Sequence, residues 1–149
     1  MKKLILLVAV VFVAFQVEAQ AVKKNDVPAV VVQSLESWYP GVSKVKWEIN
    51  DGMYVASFVM NTYENEVVIS REGAFSSSES EMSFAELPEP IRTYLTEHFP
   101  DATFEDIEME MDARGFVTYS VESGNTEYEF SADGKLMSQE TDDDSDDND

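Results

Sequence analysis

Two stretches of the chain share one spacing of apolar residues. In "VPAVVVQSLESWYP", residues 27–40, Val31, Leu35, Trp38 and Tyr39 fall at helical intervals, and in "LPEPIRTYLTEHFP", residues 87–100, positions 91, 94, 95, 98 and 99 do the same. The two stretches lie sixty positions apart: Val27 matches Leu87, Pro28 matches Pro88, Val31 matches Ile91, Leu35 matches Leu95, and Tyr39-Pro40 matches Phe99-Pro100. Proline at the start suits a first helical turn, where its missing N–H has no partner to lose. Proline at the end stops the helix by disfavouring helical geometry in the residue before it. Each stretch therefore predicts a helix of about three turns.

The period changes from helical to two after each helix. In "VKWEI" Val45, Trp47 and Ile49 share one side and Lys46 and Glu48 the other; in "IEMEM" Ile107, Met109 and Met111 oppose Glu108 and Glu110. Such alternation predicts half-buried strands. Asn50-Asp51-Gly52 and Asp112-Ala113-Arg114-Gly115 read as turns. Further strands follow at "MYVASFVM", "FVTYSVES", "EVVIS" and "EYEFS", and turn glycines Gly73 and Gly134 precede a last short strand. The expected fold class is α+β: a tandem duplication of a helix plus three-to-four-stranded antiparallel unit, the helices packed on one face of a shared antiparallel sheet. The segment Ser76–Ser83 reads as the end of the first unit plus a linker. The expected division is 20–26 as an N-terminal arm, 27–83 and 84–140 as the two repeats, and 141–149 as a disordered acidic tail, since "TDDDSDDND" holds no apolar residue.

These residues carry a resemblance. The doubled Val/Leu-Pro start, the helix ending in Tyr/Phe-Pro, then Trp47, Gly52 and alternating strands resemble the PepSY-like family of exported bacterial proteins over about residues 25–140. That family's fold is similar to the β-lactamase inhibitor protein. The resemblance implies protein binding across a sheet face and carries no catalytic residue over to this chain.

The remaining sequence bears on address and chemistry. Residues 1–19 read as a signal peptide: Lys2 and Lys3 precede a run of twelve apolar residues, and Val17-Glu18-Ala19 supplies small residues for cleavage before Gln20. Twelve residues fall short of the roughly 20 needed to cross a bilayer, and no later stretch is longer, so no membrane insertion is expected after cleavage. With no cysteine near the cleavage site, a lipid anchor is not expected, and the periplasm or the exterior of a bacterium is the expected location. The chain carries a net charge of −20; removing residues 1–19 takes away two lysines and one glutamate and leaves −21. A polyanion repels phosphate backbones and anionic lipid, which argues against nucleic acid as a partner and leaves another envelope or secreted protein, or a cation. With zero cysteines, core burial must replace disulfides.

Little catalytic chemistry is visible. His98 is the single histidine, with no cysteine or second histidine to share a zinc ion and no recognisable nucleophile motif around Ser34 or Ser37, and it reads as a partly buried helix residue. No phosphate-binding, nicotinamide or flavin fingerprint occurs, so no cofactor is expected. Glu108, Glu110, Glu127 and Glu129 read as solvated surface. In the tail, Asp144, Asp146 and Asn148 have the spacing that opens a calcium loop but lack its glycine and closing glutamate, so weak divalent-cation attraction is expected and no specific metal site. The face opposite the expected helices is more informative. Met53, Val55, Val59 and Val68 place apolar side chains where water is expected, with Lys44 and Lys46 at the rim and Phe116 contributed by the second half. The leading expectation is an exported, non-enzymatic binding or inhibitor-like module using this open face. A calcium-responsive envelope protein working through the tail stands second, and an unrecognised hydrolase last.

Overall fold

The computed structural model describes residues 19–142. Among them are nine strands: β1 (Gln20–Val22), β2 (Lys46–Asn50), β3 (Met53–Met60), β4 (Tyr63–Ile69), β5 (Phe75–Glu81), β6 (Glu105–Asp112), β7 (Val117–Ser123), β8 (Thr126–Ser131) and β9 (Leu136–Thr141). All pair antiparallel, in sequential order, in one sheet. Two ten-residue helices, α1 (Ala29–Trp38) and α2 (Glu89–His98), complete the fold, each preceded by a short 3₁₀ turn.

This corrects the expected fold class. A tandem helix-plus-strand duplication with helices packed on a shared sheet is replaced by a single, mostly-sheet fold: a nine-stranded meander with two short helices. The serine- and glutamate-rich segment expected to serve partly as a linker is β5. It bonds to β4 on one side and to β6 on the other, so the ladder runs unbroken through the middle of the chain. Residues 20–22 of the expected arm are edge strand β1, paired with β2. At the other end β9 carries Glu140 and Thr141 into register with Glu127 and Thr126, where the tail was expected to begin. Backbone pairing decides all three cases, and it is indifferent to side-chain polarity, which is why hydrophobic periodicity does not register them.

Local structure follows the sequence signals more closely. Both helices start directly after a proline, Pro28 and Pro88, and both end where Tyr39 and Phe99 donate N–H bonds of 2.8 and 2.9 Å to Leu35 and Leu95. Val31 and Leu35 join Trp47, Tyr54, Ala56, Phe58, Val67 and Ile69 in one buried cluster. Ile91 and Leu95 join Ile107, Val121, Tyr128 and Phe130 in another. Register confirms which strand residues share that side: Trp47 lies opposite Ala56, Ala56 opposite Val67, and Val67 opposite Ser78. Gly134 adopts φ +86 and lies against the first turn of α2; a Cβ there would come within 2.4 Å of the Pro90 Cβ. Only glycine tolerates both the backbone conformation and the approach.

Candidate functional site

The alternate residues of the strands point to the other face of the sheet, and there they line a groove. Its volume is about 680 Å³, and it is lined by residues of β2 to β7, of the turns at Asp51 and at 112–116, and of β9. Met53, Val55, Val68, Phe116 and Met137 supply apolar surface. Val55 and Val68 are direct cross-strand partners, so they form one continuous apolar strip. Phe116 stands at the edge, 69% exposed, and is held there by its turn. The Asp112 carboxylate accepts bonds from the backbone N–H of Arg114 (2.8 Å) and of Phe116 (2.9 Å). The Arg114 guanidinium donates to the same carboxylate at 2.8 Å and lies 5.4 Å from the Phe116 ring centroid. These contacts hold the Asp112 carboxyl below the usual carboxylate range, with the Arg114 hydrogen bond as the main cause.

Beside the apolar strip runs an acidic one. Glu66 on β4 lies opposite Glu79 on β5, and Glu79 opposite Glu110 on β6; all three line the groove. In the next row Glu81 faces Glu108, and further on Glu122 faces Glu127, which faces Glu140. Glu66, Glu79, Glu108 and Glu110 are half-buried. Burial, then repulsion from Glu79, pushes Glu108 up to about 8. Burial, then Glu122 and Glu140, pushes Glu127 up to about 7. Burial also raises Glu66 and Glu110, each with Glu79 as the next cause.

The carboxylates of Glu79, Glu108 and Glu110 each place an oxygen within 4.8 Å of the others. They are the described residues that could hold a metal ion. Three oxygens would satisfy at most half of a calcium shell of six to eight; the same spacing suits an ammonium or guanidinium group. Asp144, Asp146 and Asn148 lie outside the described residues.

Of the residues singled out from the sequence, the structure brings Met53, Val55, Val68 and Phe116 together around the groove, with Val55, expected to meet water, buried at its floor at 8% exposure. Lys44 and Lys46 are exposed near the start of β2, Lys44 in the loop at φ +55 and Lys46 opposite Ser57. Val59 is 62% exposed opposite Glu64 and does not line the groove. His98 is exposed, not partly buried as expected; it stacks on Tyr94 at 4.0 Å and its Nδ1 donates to the Tyr94 carbonyl at 2.9 Å. The acidic strip escaped sequence reasoning because Glu79 and Glu81 fall in the segment taken for a linker. The signal was there as alternation in "SSSESE", serine on one side and serine or glutamate on the other.

A nine-stranded antiparallel sheet with a groove on its open face defines the class of molecule. The chain is similar to a BLIP-like protein from Bacteroides fragilis, 22% identical over 81% of this chain and 90% of that one, with a TM-score of 0.63. It is also similar to a DUF2874 family protein from Bacteroides uniformis, 20% identical over 76% and 88% of the two chains, with a TM-score of 0.65. A third neighbour, from Bacteroides eggerthii and provisionally described as periplasmic, is 19% identical over 76% and 88%, with a TM-score of 0.65. These likenesses establish a BLIP-like fold. The expected periplasmic address agrees with that description of a neighbour. No protein-family model matches the chain, so the PepSY-like family is not shown, and no curated protein matches it.

Proposed function

We propose that the protein is a non-enzymatic binding module of the bacterial envelope that captures another protein on the open face of its sheet. The observation that carries this reading is the convergence of Met53, Val55, Val68 and Phe116 on one groove of about 680 Å³. Apolar side chains set in a polar, charged face are the composition of a contact surface: an apolar centre excludes water and a polar rim sets orientation. Two of the residues weighed for nucleophilic chemistry, Ser34 and His98, are engaged elsewhere. The Ser34 hydroxyl donates to the Gly73 carbonyl at 2.8 Å, and the His98 ring is tied to its own helix. The leader-like residues 1–19, the PepSY-like pattern of the helical segments and the neighbours' description support an envelope location.

Site-directed photocrosslinking tests the reading. A benzophenone side chain placed at position 116 should trap a discrete partner in the native envelope, and the same group at position 97, exposed on α2, should not. Equal trapping at both positions, or none at 116, overturns the proposal.

A further inference from the structure

The groove joins two unlike surfaces, and the combination restricts what can fill it. At one end Met53, Val55 and Val68 are extended by Phe116 and Met137, which are 69% and 55% exposed. At the other, Glu66, Glu79 and Glu110 follow one another across three adjacent strands, a span of roughly 10 Å at about 4.8 Å per strand. Glu108 closes up on the last two. The ion pairs among the described residues, Lys24–Glu36 and Arg114–Asp112, involve none of these four carboxylates. Half-buried carboxylates that repel one another hold onto protons, as the raised Glu66, Glu108 and Glu110 do, or take up a cation from outside.

Each simpler occupant fails at one end. An anionic partner, or the aspartate-rich sequence that follows β9, would add repulsion to the acidic end. A wholly apolar occupant would bury the carboxylates further without pairing them. A bare metal ion would leave Phe116 and Met137 in water. An occupant that carries an apolar side chain and a cationic group side by side satisfies both, since Val68 and Glu66 stand two residues apart on one face of β4.

Resting on the open-face reading above, we propose that the groove binds a basic amphipathic peptide segment of a partner protein. Its apolar side chain sits among Met53, Val55, Val68 and Phe116, and its arginine or lysine reaches Glu79, Glu108 and Glu110. Arginine fits better, because its planar fork can serve two carboxylates at once.

The probe is a fluorescein-labelled peptide of alternating leucine and arginine, titrated by anisotropy at about 0.15 M salt, where diffuse charge is screened beyond ~8 Å. A matching serine–arginine peptide and calcium alone are the comparators. The leucine–arginine peptide should bind the wild-type protein. Its affinity should fall about tenfold or more, at least about 1.4 kcal/mol, in E79Q/E108Q/E110Q and in M53S/F116S. It should hold in E72Q/E89Q/E97Q, which removes the same number of carboxyl groups from exposed positions. The first triple variant relieves repulsion, so it should fold at least as well as wild type; circular dichroism checks this. Equal weakening by both glutamine triples, equal binding of the serine–arginine peptide, or calcium binding at these glutamates with no peptide binding each overturns the proposal. Loss in M53S/F116S alone overturns the cationic half and leaves the open-face reading standing. If no variant changes binding, or no peptide binds and trapping at position 116 also fails, both fall.

Discussion

Glu108 offers the most direct physical test of the acidic strip. Its carboxyl is pushed from 4.5 to about 8 by burial and by the Glu79 charge, so the folded protein holds a proton there that the unfolded chain releases near 4.5. Between those values the folded state binds more protons, so stability falls as pH rises through the window. The contribution is fully present below about 4.5 and lost above about 8. Taken whole, the displacement corresponds to about 5 kcal/mol at about 1.4 kcal/mol per tenfold in proton affinity. The side chain is only half-buried and shares its charge with Glu79, so solvent screening reduces the usable figure to about 1–2 kcal/mol. Glu108→Gln keeps the shape of the protonated acid and removes the ionisation. It should match wild type near pH 4.5 and exceed it by about 1–2 kcal/mol at pH 9, a rise in Tm of roughly 2–8 °C for a chain of this size. Urea and thermal unfolding followed by the fluorescence of buried Trp47 provide the measurement. Glu97→Gln on exposed α2 serves as the control for loss of one charge. A variant-minus-wild-type difference that is flat with pH, or that shrinks toward pH 9, refutes the account.

Three further outcomes are expected. Gly134→Ala should cost about 1–3 kcal/mol in thermal unfolding, because alanine meets both the left-handed backbone and the Pro90 ring. Leu95→Ala, in a fully buried position at the centre of the α2 cluster, should cost about 2–5 kcal/mol by urea titration. Binding of an arginine-containing peptide at pH 7 should release protons, because the cation favours ionised Glu108; titration calorimetry in buffers of differing ionisation enthalpy should show the release in wild type and its loss in Glu108→Gln.

Periodicity along the chain was enough to locate both helices, from Val31 and Leu35 and from Ile91 and Leu95, and the alternating strands carrying Trp47, Tyr54, Val67, Ile107, Val121 and Phe130. It was also enough to send Met53, Val55 and Val68 to the open face, since a strand's side chains can point only two ways. These are local consequences of where apolar residues fall, and water acts on them before any tertiary contact forms. Whether the strands belong to separate units or to one sheet was not local. It depended on "FSSSESE", whose backbone pairs with two strands while every side chain after Phe75 is polar, so no hydrophobic signal marks it. Once β5 takes its place, Glu79 is set between Glu66 and Glu110, and residues 13 and 31 positions away become neighbours. Charge spacing in sequence says nothing of that, because repulsion and desolvation depend on distance through space. The apolar half of the candidate site was therefore written in the chain itself, and the acidic half came into being only when the sheet closed over its middle strand.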